Sequence, residues 1–411
     1  MPRPTPLVMN FKKNIVIWVG VLFRLAGSVQ AADWYVATNG NDSADGTTWS
    51  TAKLTIQAGV DAASDGDIVF VSNGVYDIGG AVAPGQLITN RVCITNAITL
   101  RAMAGPENTF IRGQGPEGSN AVRGVYMTDG AKLDGFTITS GCTYNNSWYE
   151  YPSYSNRMGG GLFCLSSNAL VTNCIIAGNT ASAYAGGAHY GTLNNCVITS
   201  NTAGVSIGGA FGCILNNSTI SYNNASYWKY WGVGAVSDCV MSNCVISGNR
   251  AGVTDSTLYN CILSGNYGVG ANNSTLSHCS LYNNLVRGAI SCTLNFCTVS
   301  NNTVDGNGGG ALNCTLNNCI ISGNRANVYS DIDAFGGGVS GCTLNSCLLL
   351  DNWGDDGGGG AHNSTLNNCT ITANGTDHEG GGTYGGNLRN CIVFGNYADN
   401  LTHNIYFFIS F

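Results

Sequence analysis

Basic residues are scarce in this chain of 411 residues: 16 Lys and Arg stand against 23 Asp and Glu, a formal net charge of −7. They cannot assemble a patch large enough to neutralise a run of phosphates, which excludes nucleic acid as a partner. Prolines number only seven, and 9% of the residues are charged, against roughly a quarter in an ordinary globular domain. No C-x-x-C pair occurs, so the common zinc-binding spacing is absent. What is abundant is glycine, with 58 residues, beside a 44% hydrophobic fraction. That combination excludes disorder and points to a chain folded through many tight turns.

Near the start, Lys12 and Lys13 precede an apolar run over residues 15–26, interrupted by Arg24, and then the small-x-small site Val29-Gln30-Ala31. This is the pattern of a secretory signal peptide, too short for a membrane span. We expect residues 1–31 to be removed on export, with Met9 an alternative start, leaving a secreted or cell-surface chain with no transmembrane segment. Residues 32–97 read as an N-terminal cap with the first strands, and 98–411 as one repetitive domain, regular from about residue 159. The ending Asn404-Ile405-Tyr406-Phe407-Phe408-Ile409-Ser410-Phe411 reads as a truncated frame that has lost an anchor.

Cys174, Cys196, Ser218, Cys244, Cys261, Cys279, Cys297, Cys319, Cys347, Cys369 and Cys391 align as position zero of eleven rungs. At −3 stands Leu, Val or Met, at +2 Ile, Leu or Val, and at +5 Asn in all eleven, from Asn179 to Asn396. At −9, Gly fills nine of the last ten rungs. Successive rungs lie 17, 18, 22, 26 or 28 residues apart, and the extra length always falls between the Asn and the next Gly. Apolar residues at zero and +2 mark a short strand, and a third at −3 breaks the alternation and implies a bend. Such strands cannot hide an apolar side alone, but stacked coils bury a continuous interior. The expected fold is all-β, a right-handed parallel β-helix whose eleven rungs run to about 50 Å at about 4.8 Å each. Asn at +5 is expected to tolerate left-handed backbone at a turn and to pass hydrogen bonds along a stacked ladder. Less regular early rungs fall at Ile98–Leu100 and Leu133–Ile138, and Thr55 is placed to cap a short helix whose Ile56, Val60 and Ala63 close the open end.

Residues 34–76 resemble the N-terminal part of secreted pectin-lyase-like β-helix proteins. The blocks Gly186-Gly187-Ala188, Gly208-Gly209-Ala210 and Gly309-Gly310-Ala311, alternating with Ile-x-x-Asn, are similar to the repeats of polymorphic outer-membrane proteins. Here Ile or Val replaces that family's Phe, and no C-terminal barrel follows residue 391. The resemblance implies surface display and adhesion.

Ten of the eleven position-zero residues are Cys, and a second column at −5 holds Cys213, Cys239, Cys292, Cys314 and Cys342 among Ala, Gly and Ser. Small size unites both columns, so we read most of the 18 cysteines as buried free thiols, against rung-to-rung disulfides. His189, His362 and His378 are read as satisfied or solvated. Asp42-Ser43-Ala44-Asp45-Gly46 lacks the closing Glu of a calcium loop and reads as a polar turn.

Position +8 carries Asp305, Asn327, Asp355, Asp377 and Asp399 in the last five rungs, with Arg325 at +6 between Asp305 and Asp355. Stacking would line these carboxylates in a row, where two charges about 5 Å apart repel by roughly 3 kcal/mol at an effective dielectric near 20. Either solvent or a cation must relieve that, which makes Asp355 and Asp377 candidate calcium ligands. An acidic row beside an Arg is similar to polysaccharide lyases of this fold. The resemblance would give calcium the neutralisation of a uronate and Arg325 the removal of a proton. The plainer reading is a solvated edge of good turn residues. Two insertions are rich in aromatics, with Trp148 and Tyr151 in one and Trp228 and Trp231 in the other, able to stack on sugars or to fold back over the coil. Two functions stand open: a non-enzymatic binding or adhesion module for a polysaccharide or cell-surface protein, and a lyase or hydrolase acting on acidic glycans.

Overall fold

The computed structural model describes residues 31–145, 154–225, 234–328, 333–399 and 405–406, and within them the chain is a right-handed parallel β-helix. Each regular coil gives one three-residue strand, such as Thr192–Asn194, to a 28-stranded sheet and a second, such as Val197–Thr199, to a 14-stranded sheet. Equivalent residues pair in register from coil to coil: Leu193 with Leu215 on the first sheet, Ile198 with Ile220 on the second. The repeat alignment is therefore the pairing register itself. The aliphatic columns at −3 and +2 point inward, and Leu215, Leu294, Ile246 and Ile321 are fully buried in one continuous core.

The cysteine columns are more than small spacers. All 18 cysteines are unpaired, and the buried thiols form ladders. The amide of Cys244 donates to Cys261 Sγ at 3.4 Å, that of Cys261 to Cys279 Sγ, and that of Cys279 to Cys297 Sγ. Each thiol in turn donates to the carbonyl two residues earlier in its own coil, as Cys261 does to Tyr259. Where Ser replaces Cys, its hydroxyl makes the same two bonds: Ser218 accepts from Cys196 and donates to Asn216. The columns therefore select a γ atom that donates and accepts, which the size argument alone did not show.

From the coil of Cys196 onward, three left-handed residues, five positions apart, turn each coil. They lie at −6, −1 and +4, for example Asn313, Asn318 and Gly323 in one coil and Asn363, Asn368 and Ala373 in another. The expectation that Asn at +5 is itself left-handed is corrected: its predecessor is, and Asn is turned inward instead. There Asn302 Nδ2 donates to the Leu281 carbonyl and to Asn324 Oδ1, while Asn324 Oδ1 also accepts from the Asn302 amide. An unbroken ladder of this kind runs from Asn179 to Asn396, and it satisfies polar groups that the corner would otherwise bury bare.

At the N-terminal end the helix Ile56–Ala62 forms as expected, with the Thr55 hydroxyl accepting from the Ala58 amide. Ile56, Val60 and Ala63 are buried. A Cβ on Gly59 would stand 2.6 Å from Val36, so only glycine lets the helix approach the first strand this closely. Gln57 holds both the amide and the carbonyl of Cys93 on the neighbouring coil.

Candidate functional site

The Asn ladder also positions the outer surface. The amide of each +6 residue donates to the carbonyl of the preceding ladder Asn: Arg250 to Asn223, Tyr267 to Asn249, Leu285 to Asn266, Arg325 to Asn302 and Trp353 to Asn324. A third face of the coil is thereby begun in register on every one of these rungs. Where the rung spacing is 22 residues or more, the segment continues as a strand. Three such strands, Thr180–Ala181, Thr202–Ala203 and Asn224–Ala225, form one short sheet. Five more, from Thr303–Asp305 to Tyr397–Ala398, form another. The coils at Cys244, Cys261 and Cys279, followed by the next after only 17 or 18 residues, have no third strand among the described residues. The face is hollowed there.

The hollow is a cleft of about 600 Å³ lined by Tyr222, Asn223, Asn224, Gly248, Arg250, Tyr267, Gly268 and Val286. Tyr222 and Tyr267 are 69% and 66% exposed, a large amount of ring surface to leave in water. Tyr222 lies over Gly248, where a Cβ would stand 2.8 Å from its ring. Arg250 Nη1 donates to Asn224 Oδ1 at 3.4 Å, and among the described residues no carboxylate is paired with it. The cleft thus offers two aromatic faces, a guanidinium and amides on a glycine floor. Sequence reasoning missed it, although the 17- and 18-residue spacings were its signal.

Farther along the same face the acidic row falls in the predicted phase. Asp305 pairs in register with Asn327, and the strands of Arg325, Trp353, Gly375 and Tyr397 stack in order, placing Asp355, Asp377 and Asp399 at successive strand ends. Asp355 is already engaged: it accepts from Arg325 Nη2 at 3.4 Å, Trp353 Nε1 at 3.1 Å and the Val328 amide at 3.0 Å. The Arg325 guanidinium also sits 5.8 Å from the Trp353 ring centroid. Asp399 accepts from the Tyr397 hydroxyl, a bond that pushes the phenol up from its ordinary value. Asp356 accepts from the Ala334 amide and lies 4.0 Å from His378. Among the described residues no three carboxylate, thiol or imidazole groups converge as a metal site, and a cation on Asp355 would have to displace Arg325 and Trp353. Trp148, Tyr151, Trp228 and Trp231 lie outside the described residues.

Two further features escaped the sequence reading. On the outside of the first sheet, Asn295, Asn317, Asn345 and Asn367 at position −2 form a second amide ladder, each donating to the one before at 2.8–3.0 Å. In the early coils Phe163, His189 and Phe211 stack, with His189 4.6 Å from Phe163 and 5.6 Å from Phe211. His189 is neither solvated nor satisfied at Nδ1 among the described residues. Burial, and secondarily the Arg123 charge, push its imidazole down to about 4. Arg123 is itself fully buried and donates to Gln86, Asn90 and the carbonyls of Ser155 and Met158. Asp42 accepts the amides of Leu54 and Thr55, and Asp45 accepts that of Thr47 within its own turn.

The match to a family model agrees with this architecture. A family model described as "Right handed beta helix region" matches residues 118–255 and 160–326. Similar solved structures include pectate lyase Pel9A, at 15% identity and a TM-score of 0.36, over 92% of this chain and 80% of that one. The A-module of the mannuronan C-5 epimerase AlgE4 from Azotobacter vinelandii is similar at 16% identity and a TM-score of 0.33, over 87% and 95%. The Dettilon tailspike protein matches at 11% identity and a TM-score of 0.39, over 89% and 68%. No curated protein sequence matches the chain.

Proposed function

Because the chain belongs to the right-handed β-helix family, a scaffold that displays the same position of every coil along one line, we propose that it is an extracellular polysaccharide-binding module. The observation that carries this is the cleft at the short coils, where Tyr222 and Tyr267 expose their rings beside Arg250 and Asn224. Aromatic rings with polar rims suit the apolar faces and hydroxyl edges of sugars, and Arg and Tyr are the residue types that dominate binding energy at recognition sites. The reading as a binder and not a hydrolase is supported by the lining, which among the described residues contains no Asp, Glu or His, the groups that move protons in glycoside cleavage. Export rests on the leader pattern of residues 1–31, which lies outside the described residues apart from Ala31. No helix among the described residues is long and apolar enough to cross a membrane.

Affinity electrophoresis against a panel of soluble polysaccharides, with ultraviolet absorbance followed in parallel for unsaturated products, tests the reading. At least one polymer should retard the protein without a rise in absorbance, and Tyr267→Ala should weaken that retention by about 2 kcal/mol, the size of a typical hot spot. Growth of absorbance on a uronate polymer would favour a lyase instead.

A further inference from the structure

The cleft is not alone on its face. From the second rung on, position +6 of every coil is held to the preceding Asn carbonyl, so Arg250, Tyr267, Leu285, Arg325, Trp353 and Tyr397 belong to one line parallel to the solenoid axis. Two clusters of the same make-up lie on it. In the first, Arg250 and Tyr267 line the cleft with Tyr222. In the second, Arg325 sits against Trp353, with the Tyr397 ring 6.5 Å beyond, and Asp355 holds both the guanidinium and the indole in place. Tyr267 and Trp353 are four coils apart, about 19 Å at about 4.8 Å per coil. Between the first cluster and Thr303 successive coils are 18 residues apart, and the +6 side chains between the two clusters, Leu285 and Thr303, carry no charge.

We propose that both clusters engage one polymer: a single linear glycan chain lies along this line, parallel to the axis, with one segment in the cleft and another across Trp353 and Tyr397. This rests on the polysaccharide-binding reading and adds to it the ligand's length and direction. A chain shorter than about 19 Å reaches one cluster only, whereas a longer one converts the second contact into an intramolecular event and gains affinity without any new kind of contact.

The test is a chain-length series. Polygalacturonate and xylan, each intact and as size-fractionated oligosaccharides from the dimer upward, are titrated against the full chain and against Tyr267→Ala and Trp353→Ala, with thermal melting to verify folding. For whichever polymer binds, affinity should climb at least tenfold once the oligosaccharide spans both clusters. Trp353→Ala should remove that climb, bringing long chains down to the affinity that the cleft alone gives, and Tyr267→Ala should weaken every length that depends on the cleft. If affinity were flat with length, or Trp353→Ala weakened short and long chains alike, the two-cluster line would be overturned while binding at the cleft stood. If neither polymer bound, or Tyr267→Ala changed nothing at any length, the cleft reading itself would fall, and the inference with it.

Discussion

At the scale of single residues, the interior columns are explained by what their γ atoms do. Cys and Ser interchange because each accepts the amide of the coil before and donates to a carbonyl of its own coil. Cys261→Ser should therefore change stability by less than about 1 kcal/mol, whereas Cys261→Ala, which strips the Cys244 amide of its acceptor, should cost about 1–3 kcal/mol. Denaturant unfolding of the two variants measures the difference, and equal stabilities would reduce the column to a size filter. Burial pushes the Cys196 thiol up to about 11, so Cys196 should resist alkylation at pH 8 in the native protein and react only when it is unfolded. His189 makes a further demand. Free in an unfolded chain its imidazole gains a proton as pH falls through 6.5, but the folded one waits until about 4. The unfolded state thus binds more protons across that window, and stability is complete above pH 6.5 and lost progressively down to about pH 4, by up to about 3 kcal/mol. His189→Phe, which keeps the stack, should flatten this part of the stability curve, and an unchanged slope would assign the loss to other groups.

At the scale of elements, the strands were legible because a three-residue strand with one inward position needs only a repeated Leu or Ile to declare itself. The corners were less so. Eight of the eleven residues at −1 are Asn, yet the +5 column, invariant, drew the left-handed assignment that belongs to −1, −6 and +4. Invariance there reflects burial and paired amides, while the truly left-handed positions tolerate Gly, Asn, Ser, Tyr or Ala because most of them face solvent. Ala373, exposed and left-handed at φ 55° as Asn368 is at φ 53°, is a poor residue for that conformation. Ala373→Gly should raise stability by about 0.5–1 kcal/mol, the relief of the Cβ clash less glycine's extra entropy when unfolded. A fall in melting temperature would mean that the turn is not strained.

At the scale of the whole molecule, the coil could be read from the repeat, and the acidic edge from its phase, because both depend on spacing along the chain. The cleft had only the 17- and 18-residue spacings for a signal. It arises from segments that are short, and a missing strand leaves no residue to point to; only the fold shows that three compact coils between two longer sets leave a hollow. Nor could the sequence show that Asp355 is engaged by Arg325 and Trp353, since those contacts depend on side-chain directions across adjacent coils. In the proposed function, one edge, begun at each ladder Asn, is where this solenoid meets its ligand. Amide hydrogen exchange of the full chain with and without a saturating polysaccharide tests that claim most directly. New protection should be confined to the segments around 222–224, 248–250 and 267–268 and to the third-face strands beyond them; protection centred instead on the outer surface of the first or second sheet would contradict it.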